Sequence, residues 1–226
     1  MKSTKQNGSI EVFEARLKAG SLLNKQDSAD YADGKKQLRT DELFLRKQLS
    51  GTTGIIAVIN ENDVQKTCVT NLSKGSVPVE KNLIIDKVAV RVGYSLTNVD
   101  AALVAYSNAV FAINDQDFDA GTTATGDTVA ARRIPVSIQN AEYVLSVDEV
   151  ILESGRLSDF LTTNIVSDSV DGADKNFKQL EWPVFMLADK RVRFDVKFPE
   201  GAPALAGFWY IELVAKGLGL TKRVGL

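Results

Sequence analysis

The sequence predicts a mainly β protein, an antiparallel two-sheet β-sandwich preceded by a short helical N-terminal arm. Two observations predict it. After Gly54 the hydrophobic period changes from helical to strand-like, and turn residues cut the remainder into eight or nine short apolar segments. Nowhere do strands alternate with helices as a parallel sheet requires, so two packed antiparallel sheets follow.

The clearest strand is Val192 to Phe198, where Val192, Phe194, Val196 and Phe198 alternate with Arg191, Arg193, Asp195 and Lys197. A period of two puts the apolar set on one sheet face and the charged set on the other. Val88, Val90, Val92 and Tyr94 alternate with Lys87, Ala89, Arg91 and Gly93, and Tyr143, Leu145 and Val147 alternate in the same way. Further strands are expected at Gly54 to Asn60, Val64 to Thr70, Arg133 to Gln139, Glu149 to Glu153 and Gly207 to Lys216. Ala101 to Ile113 suits either a helix or strands, and its strand neighbours favour strands.

Before Gly54 the pattern differs, which divides the chain into an arm at 1–53 and a β domain at 54–226. Ser9 caps a short amphipathic helix from Ile10 to Ala19 with Phe13 and Leu17 on its stripe. A second helix is expected to begin near Thr40, carry Leu43, Phe44, Leu45 and Leu49, and stop at Gly51; the stretch between, Asn24 to Gly34, reads as a polar linker. Two short helices cannot close a core alone, so Phe13, Leu17, Phe44 and Leu45 are candidate contacts with the β domain or a neighbour.

Composition narrows the chemistry. The 226 residues include one cysteine, Cys68, and no histidine, which excludes an intrachain disulfide, a histidine-liganded zinc and a Ser-His-Asp triad. The formal charge of −2 argues against a dedicated nucleic-acid binder. Residues 1–50 nevertheless hold 10 Lys+Arg against 7 Asp+Glu, so Lys35, Lys36, Arg39, Arg46 and Lys47 read as a solvated basic face, with a weak contact to nucleic acid or anionic lipid as the alternative. With no long apolar run and no signal-peptide pattern, the chain is expected to be soluble and intracellular.

Apparent motifs reduce to structure. Asp115, Asp117 and Asp119 have the spacing of calcium-loop carboxylates, but Ala120 stands where the turn glycine belongs and Gly126 where the bidentate glutamate belongs. Asp168, Asp171 and Asp174 read as turn residues. Asp148 and Glu149, adjacent in an expected strand, would face opposite ways and cannot share a substrate. Gly217-Leu218-Gly219-Leu220-Thr221-Lys222 has no following helix to offer a phosphate, and Cys68 reads as an ordinary core or surface residue. No catalytic, cofactor or metal residues are assigned, and no enzyme is expected.

Phe208-Trp209-Tyr210-Ile211-Glu212-Leu213 is nearly all apolar on both strand faces, so one face must be covered by the arm or an adjacent subunit, with Trp209 a candidate interface residue. Alternatively Trp182, Trp209 and Tyr210 form the platform of a carbohydrate- or receptor-binding module.

Trp182-Pro183 through Phe198, then Pro199-Glu200-Gly201 and Phe208 to Gly217, resemble the closing strands of viral jelly rolls. Ile134 to Tyr143 and Val150 to Leu161 are similar to middle strands of phage jelly-roll capsid proteins. The resemblance is one of pattern. It implies a single jelly roll, a structural virion protein assembled in the host cytoplasm, partners that are copies of itself and other virion proteins, and no small-molecule substrate. A tandem double roll needs about sixteen strands, more than the chain supplies at ~5–6 residues each.

Overall fold

The computed structural model describes residues 25–49, 54–59, 62, 64–78, 82–106, 111–112, 132–161, 177–205 and 207–222. Within them, eight strands form two four-stranded antiparallel sheets. The first sheet has the order β1 (Lys36–Leu49), β8 (Phe208–Lys222), β3 (Asn82–Ser95), β6 (Lys178–Met186). The second has the order β2 (Ile55–Ala57), β7 (Val192–Lys197), β4 (Glu142–Val147), β5 (Val150–Arg156). Phe111–Ala112 and Arg132–Arg133 add a separate two-residue ladder.

The alternation read from the sequence sets the inward faces. Val88, Val90, Val92 and Tyr94 of β3 and Trp209, Ile211, Leu213 and Ala215 of β8 join Tyr143, Leu145, Phe194 and Val196 of the other sheet in one core. Burying each large apolar side chain contributes roughly 1.5–3 kcal/mol, so this shared core is what binds the sheets together. The arrangement is mainly antiparallel β and compatible with a β-sandwich.

The expected second helix is a strand. Residues 36–49, placed by the sequence reading in the arm, pair along their whole length with β8 as β1. Leu43, Leu45 and Leu49 point into the core at a period of two. Phe44 and Lys47 had obscured that period: Phe44 lies on the outer face, and Lys47, opposite Ile211, occupies an inward position at the sheet edge. The helix expected at Ile10 to Ala19 lies outside the described residues.

The supposed linker instead contains a helix, α1 (Lys25–Ala32). It ends in a left-handed Gly34, with Lys35 N–H donating to Asp30 O and Gly34 N–H to Tyr31 O, the paired closing bonds that a C-terminal glycine permits. Asp27 in its first turn is buried, held by Lys36 and by Asn82 Nδ2 at 2.7 Å. The Lys36 ammonium is raised above its ordinary range, chiefly by its hydrogen bond to Asp27.

Other expected strands also differ. Val136–Gln139 is a short helix, α2, in which the Pro135 carbonyl accepts from Ile138 and Gln139 N–H while Ile138 is drawn into the core. Val64 to Thr70 forms turns with isolated bridges. Ala101–Leu103 is a 3-10 turn, and of the expected strand beyond it only Phe111–Ala112 is a described strand. In β8 the ladder shifts between Lys216 and Gly217, where a Cβ on Gly217 would lie 1.6 Å from Ile84 O. Only glycine lets the two backbones approach this closely.

Candidate functional site

The two outer sheet faces are the surfaces on which a site can be built, and they differ. On the first sheet, Arg46, Glu212 and Arg91 stand directly opposite one another across β1, β8 and β3. Arg46 Nε meets Glu212 Oε1 at 2.8 Å and Arg91 Nη1 meets Oε2 at 2.8 Å, with Glu212 only 2% exposed. Each carboxylate oxygen thus has its own charged donor, which a buried glutamate requires. Arg46 Nη1 also donates to Cys68 O at 2.9 Å, and its guanidinium lies over the Tyr106 ring at 5.2 Å.

The chain itself covers this face. Gly93, opposite Tyr210, leaves room for residues 104–106 to cross: a Cβ there would lie 2.5 Å from Val104 Cγ1 and 2.7 Å from Ala105 O. The Tyr210 hydroxyl accepts from Val99 N–H at 3.1 Å and donates to Val99 O at 2.8 Å. Burial pushes the Tyr106 hydroxyl far above its ordinary range. The 3-10 turn is capped by Asp100, whose carboxyl is held low first by Ala102 N–H and then by Lys66. Further along, the Phe177 ring faces Lys216, Arg91 and Lys87 at 4.7, 5.7 and 5.8 Å. Thus where the sequence reading looked to the arm or a neighbour, residues 98–106 close over Tyr210 and Glu212.

The second sheet's outer face is an open groove of about 990 Å³ lined by Val144, Ser146, Ile151, Arg191, Arg193 and Asp195, among others. Along β7 the Arg193–Asp195 ion pair, at 2.6 Å, lines it. At one end lies the β4–β5 turn. Asp148 and Glu149 are its two central residues, at φ 46° and 70°, rather than strand residues as expected. Asp148 accepts from Lys190 and from Arg191 N–H, and these bonds, Lys190 first, hold its carboxyl below the ordinary value. Val77 N–H to Lys190 O and Val192 N–H to Gly75 O tie a third turn to the same end. The Asp148 carboxylate thus clamps its own turn to the one at Lys190.

A clasp joins the sheets along one side. Lys178 of β6 donates to Glu153 Oε1 of β5 at 2.7 Å and to the Tyr143 hydroxyl at 3.3 Å. Burial raises the Tyr143 hydroxyl to about 12. For Lys178 burial is the largest single effect and opposes the charge, yet Glu153 and Tyr143 together outweigh it and raise the ammonium.

Of the candidate interface residues, Phe13 and Leu17 lie outside the described residues. Leu45 and Trp209 are each 2% exposed and belong to the core, Trp209 against Tyr94 with ring centroids 4.8 Å apart. Strand alternation turns both inward, so neither is a surface contact. Phe44 is half-buried on the outer face, beside the Arg46 guanidinium at 5.9 Å. The carbohydrate platform loses Trp209 and Tyr210 to burial; of Trp182 only the backbone, in β6, is described. Cys68 is exposed at φ 61° in a turn, not a strand. The Asp115 and Asp168 groups lie outside the described residues, and among those described no cluster of three metal-ligating side chains occurs. No described helix is long and apolar enough to cross a membrane.

Arg46 and Lys36, expected on a solvated basic face, are instead largely buried partners of Glu212 and Asp27, and the residues that the sequence reading missed are Arg91 and Glu212. Their only signal was a single charge within each of two apolar strands, Val88 to Tyr94 and Phe208 to Val214. No family model matches the chain, nor does any curated protein or solved structure.

Proposed function

We propose that this chain is a single jelly-roll structural protein of a virion, a shell component that assembles in the host cytoplasm with copies of itself and with other virion proteins. The observation that carries the reading is the winding of the chain. β1 pairs with β8, β2 with β7, β3 with β6 and β4 with β5, all antiparallel. Eight strands nested in this way form one long ribbon folded over itself, which is how a two-sheet jelly roll is wound, a fold used by viral capsid and lectin domains among others.

The step from fold to function is an analogy, supported by the resemblance of the closing strands to phage virion proteins. On this reading the chain works by packing and is not an enzyme. On the same reading the segment before Lys25, with Phe13 and Leu17, reaches to neighbours, and the basic excess of residues 1–50 makes weak contacts with packaged nucleic acid or lipid.

Light scattering of the purified chain across a concentration series, at two salt concentrations, tests the reading. Concentration-dependent assemblies, seen as regular particles by electron microscopy, are expected. A monomer at every concentration overturns it, and glycan binding by that monomer favours the binding module.

A further inference from the structure

The geometry points to a head-to-tail interface between copies of this chain, in which β5, an edge strand among the described residues, receives β2 of the next copy and the second sheet runs on from one copy to another. This inference rests on the self-assembly reading and names where it occurs.

Strand edges are templates for further pairing unless something blocks them. The first sheet's edges are blocked. Along β1, Arg46 N–H donates to Val69 O at 2.8 Å and Asn71 N–H to Phe44 O at 3.3 Å, and the rest of the strand carries Lys36 and Arg39. At the other edge, β6 contains Pro183, which cannot donate.

The second sheet's edges carry apolar side chains instead. On β5, Val150 and Ile151 are each 63% exposed, and at the opposite edge Ile55 of β2 is 65% exposed. Val150-Ile151-Leu152 and Ile55-Ile56-Ala57 are uncharged runs of matching length, rich in β-branched residues.

Direction also fits. The strands β2, β7, β4 and β5 alternate without exception, so β2 and β5 run oppositely. A copy added in the same orientation therefore sets its β2 antiparallel to β5 of the first and continues the ladder. Two-fold pairing of β5 with itself in full register would place Glu153 opposite Glu153, and like charges directly opposite are destabilising. Within one copy Ile56 is level with Gly155, through Val196 and Tyr143. Ile55, one residue before, is level with Glu142 through Lys197, whereas Ile151 pairs with Ser146. Setting Ile55 against Ile151, both on the outer face, therefore shifts successive copies four residues along β4, about 13 Å, and makes the contact a heterologous one that builds rings or open assemblies.

A complementation experiment tests this with the full chain. Ile55→Lys spoils only the β2 edge, and the double variant Val150→Lys/Ile151→Lys spoils only the β5 edge. Each variant alone is expected to be monomeric by light scattering with a wild-type melting profile. An equimolar mixture is expected to form species of twice the chain mass and no larger, because one sound β5 and one sound β2 remain to join. If lysine unfolds the chain, Ile55→Thr and Ile151→Thr replace it, and each is expected to raise the concentration needed for assembly. Assembly of Ile55→Lys alone overturns the head-to-tail contact. Wild-type-like assembly of every variant overturns the edge interface while leaving self-assembly intact, whereas a monomeric wild type overturns both.

Discussion

Arg91 and Glu212, on neighbouring strands β3 and β8, form a 2.8 Å ion pair on a sheet face that the chain closes over with its own residues 98–106. With Arg46 on the other side, the glutamate is the shared acceptor of two cations. Replacing Glu212 with alanine leaves both arginines facing a partly buried, uncompensated site. Loss of one partner of a buried pair costs ~3–5 kcal/mol, and since both arginines are about one-quarter exposed the lower end applies. Urea unfolding is expected to show a loss near that figure for Glu212→Ala and a smaller one for the combined Arg46→Met/Glu212→Leu/Arg91→Met. A change within ~0.5 kcal/mol for Glu212→Ala would mean that the rung holds nothing together.

Gly217→Ala is expected to destabilise the chain by about 3 kcal/mol or more, because the new methyl would overlap Ile84 O and the ladder must part to admit it. The rest of β8 pairs on both sides and cannot slide to relieve the clash. Thermal melting checks this, and an unchanged Tm would show that the two strands are not in contact at that point.

Phe194 is fully buried between the sheets, near Tyr143 with ring centroids 6.2 Å apart. Phe194→Asp removes a core ring and buries a carboxylate within the apolar cluster, at a cost of several kcal/mol. Loss of the cooperative unfolding transition in circular dichroism is the expected result. A wild-type melt would place the β7 register one residue away.

The turn at Asp148 gives a pH dependence of definite sign. In the folded chain its carboxyl is held below the ordinary 3.8, so the unfolded chain binds the proton first as the solution is acidified. Its contribution is therefore complete above that ordinary value and disappears as pH falls through the lower folded one. Asp148→Asn keeps a residue that tolerates the left-handed backbone at φ 46° and removes the charge. The variant is expected to melt below wild type at pH 7 and together with it near pH 2; an equal difference at both pH values would assign the effect to backbone strain.

Read alone, the sequence determined the β class, the antiparallel two-sheet expectation and the inward faces of β3, β4 and β7, because a period of two is a local property that survives whatever the strand packs against. It misread Leu43 to Leu49, where Phe44 outside and Lys47 inside broke the alternation that only pairing with β8 makes visible. It also placed Asp148 and Glu149 on a strand, since neither glycine nor asparagine marked the turn. Tertiary structure alone decided that Trp209 is core and that Glu212 lies between Arg46 and Arg91, residues far apart in the chain. It likewise decided that residues 98–106 close over Tyr210 and Glu212 on the outer face of β8. The physical reason is one of range: side-chain alternation is set by adjacent residues, whereas which face is buried, and beneath what, is set by strands brought together only when the whole chain closes.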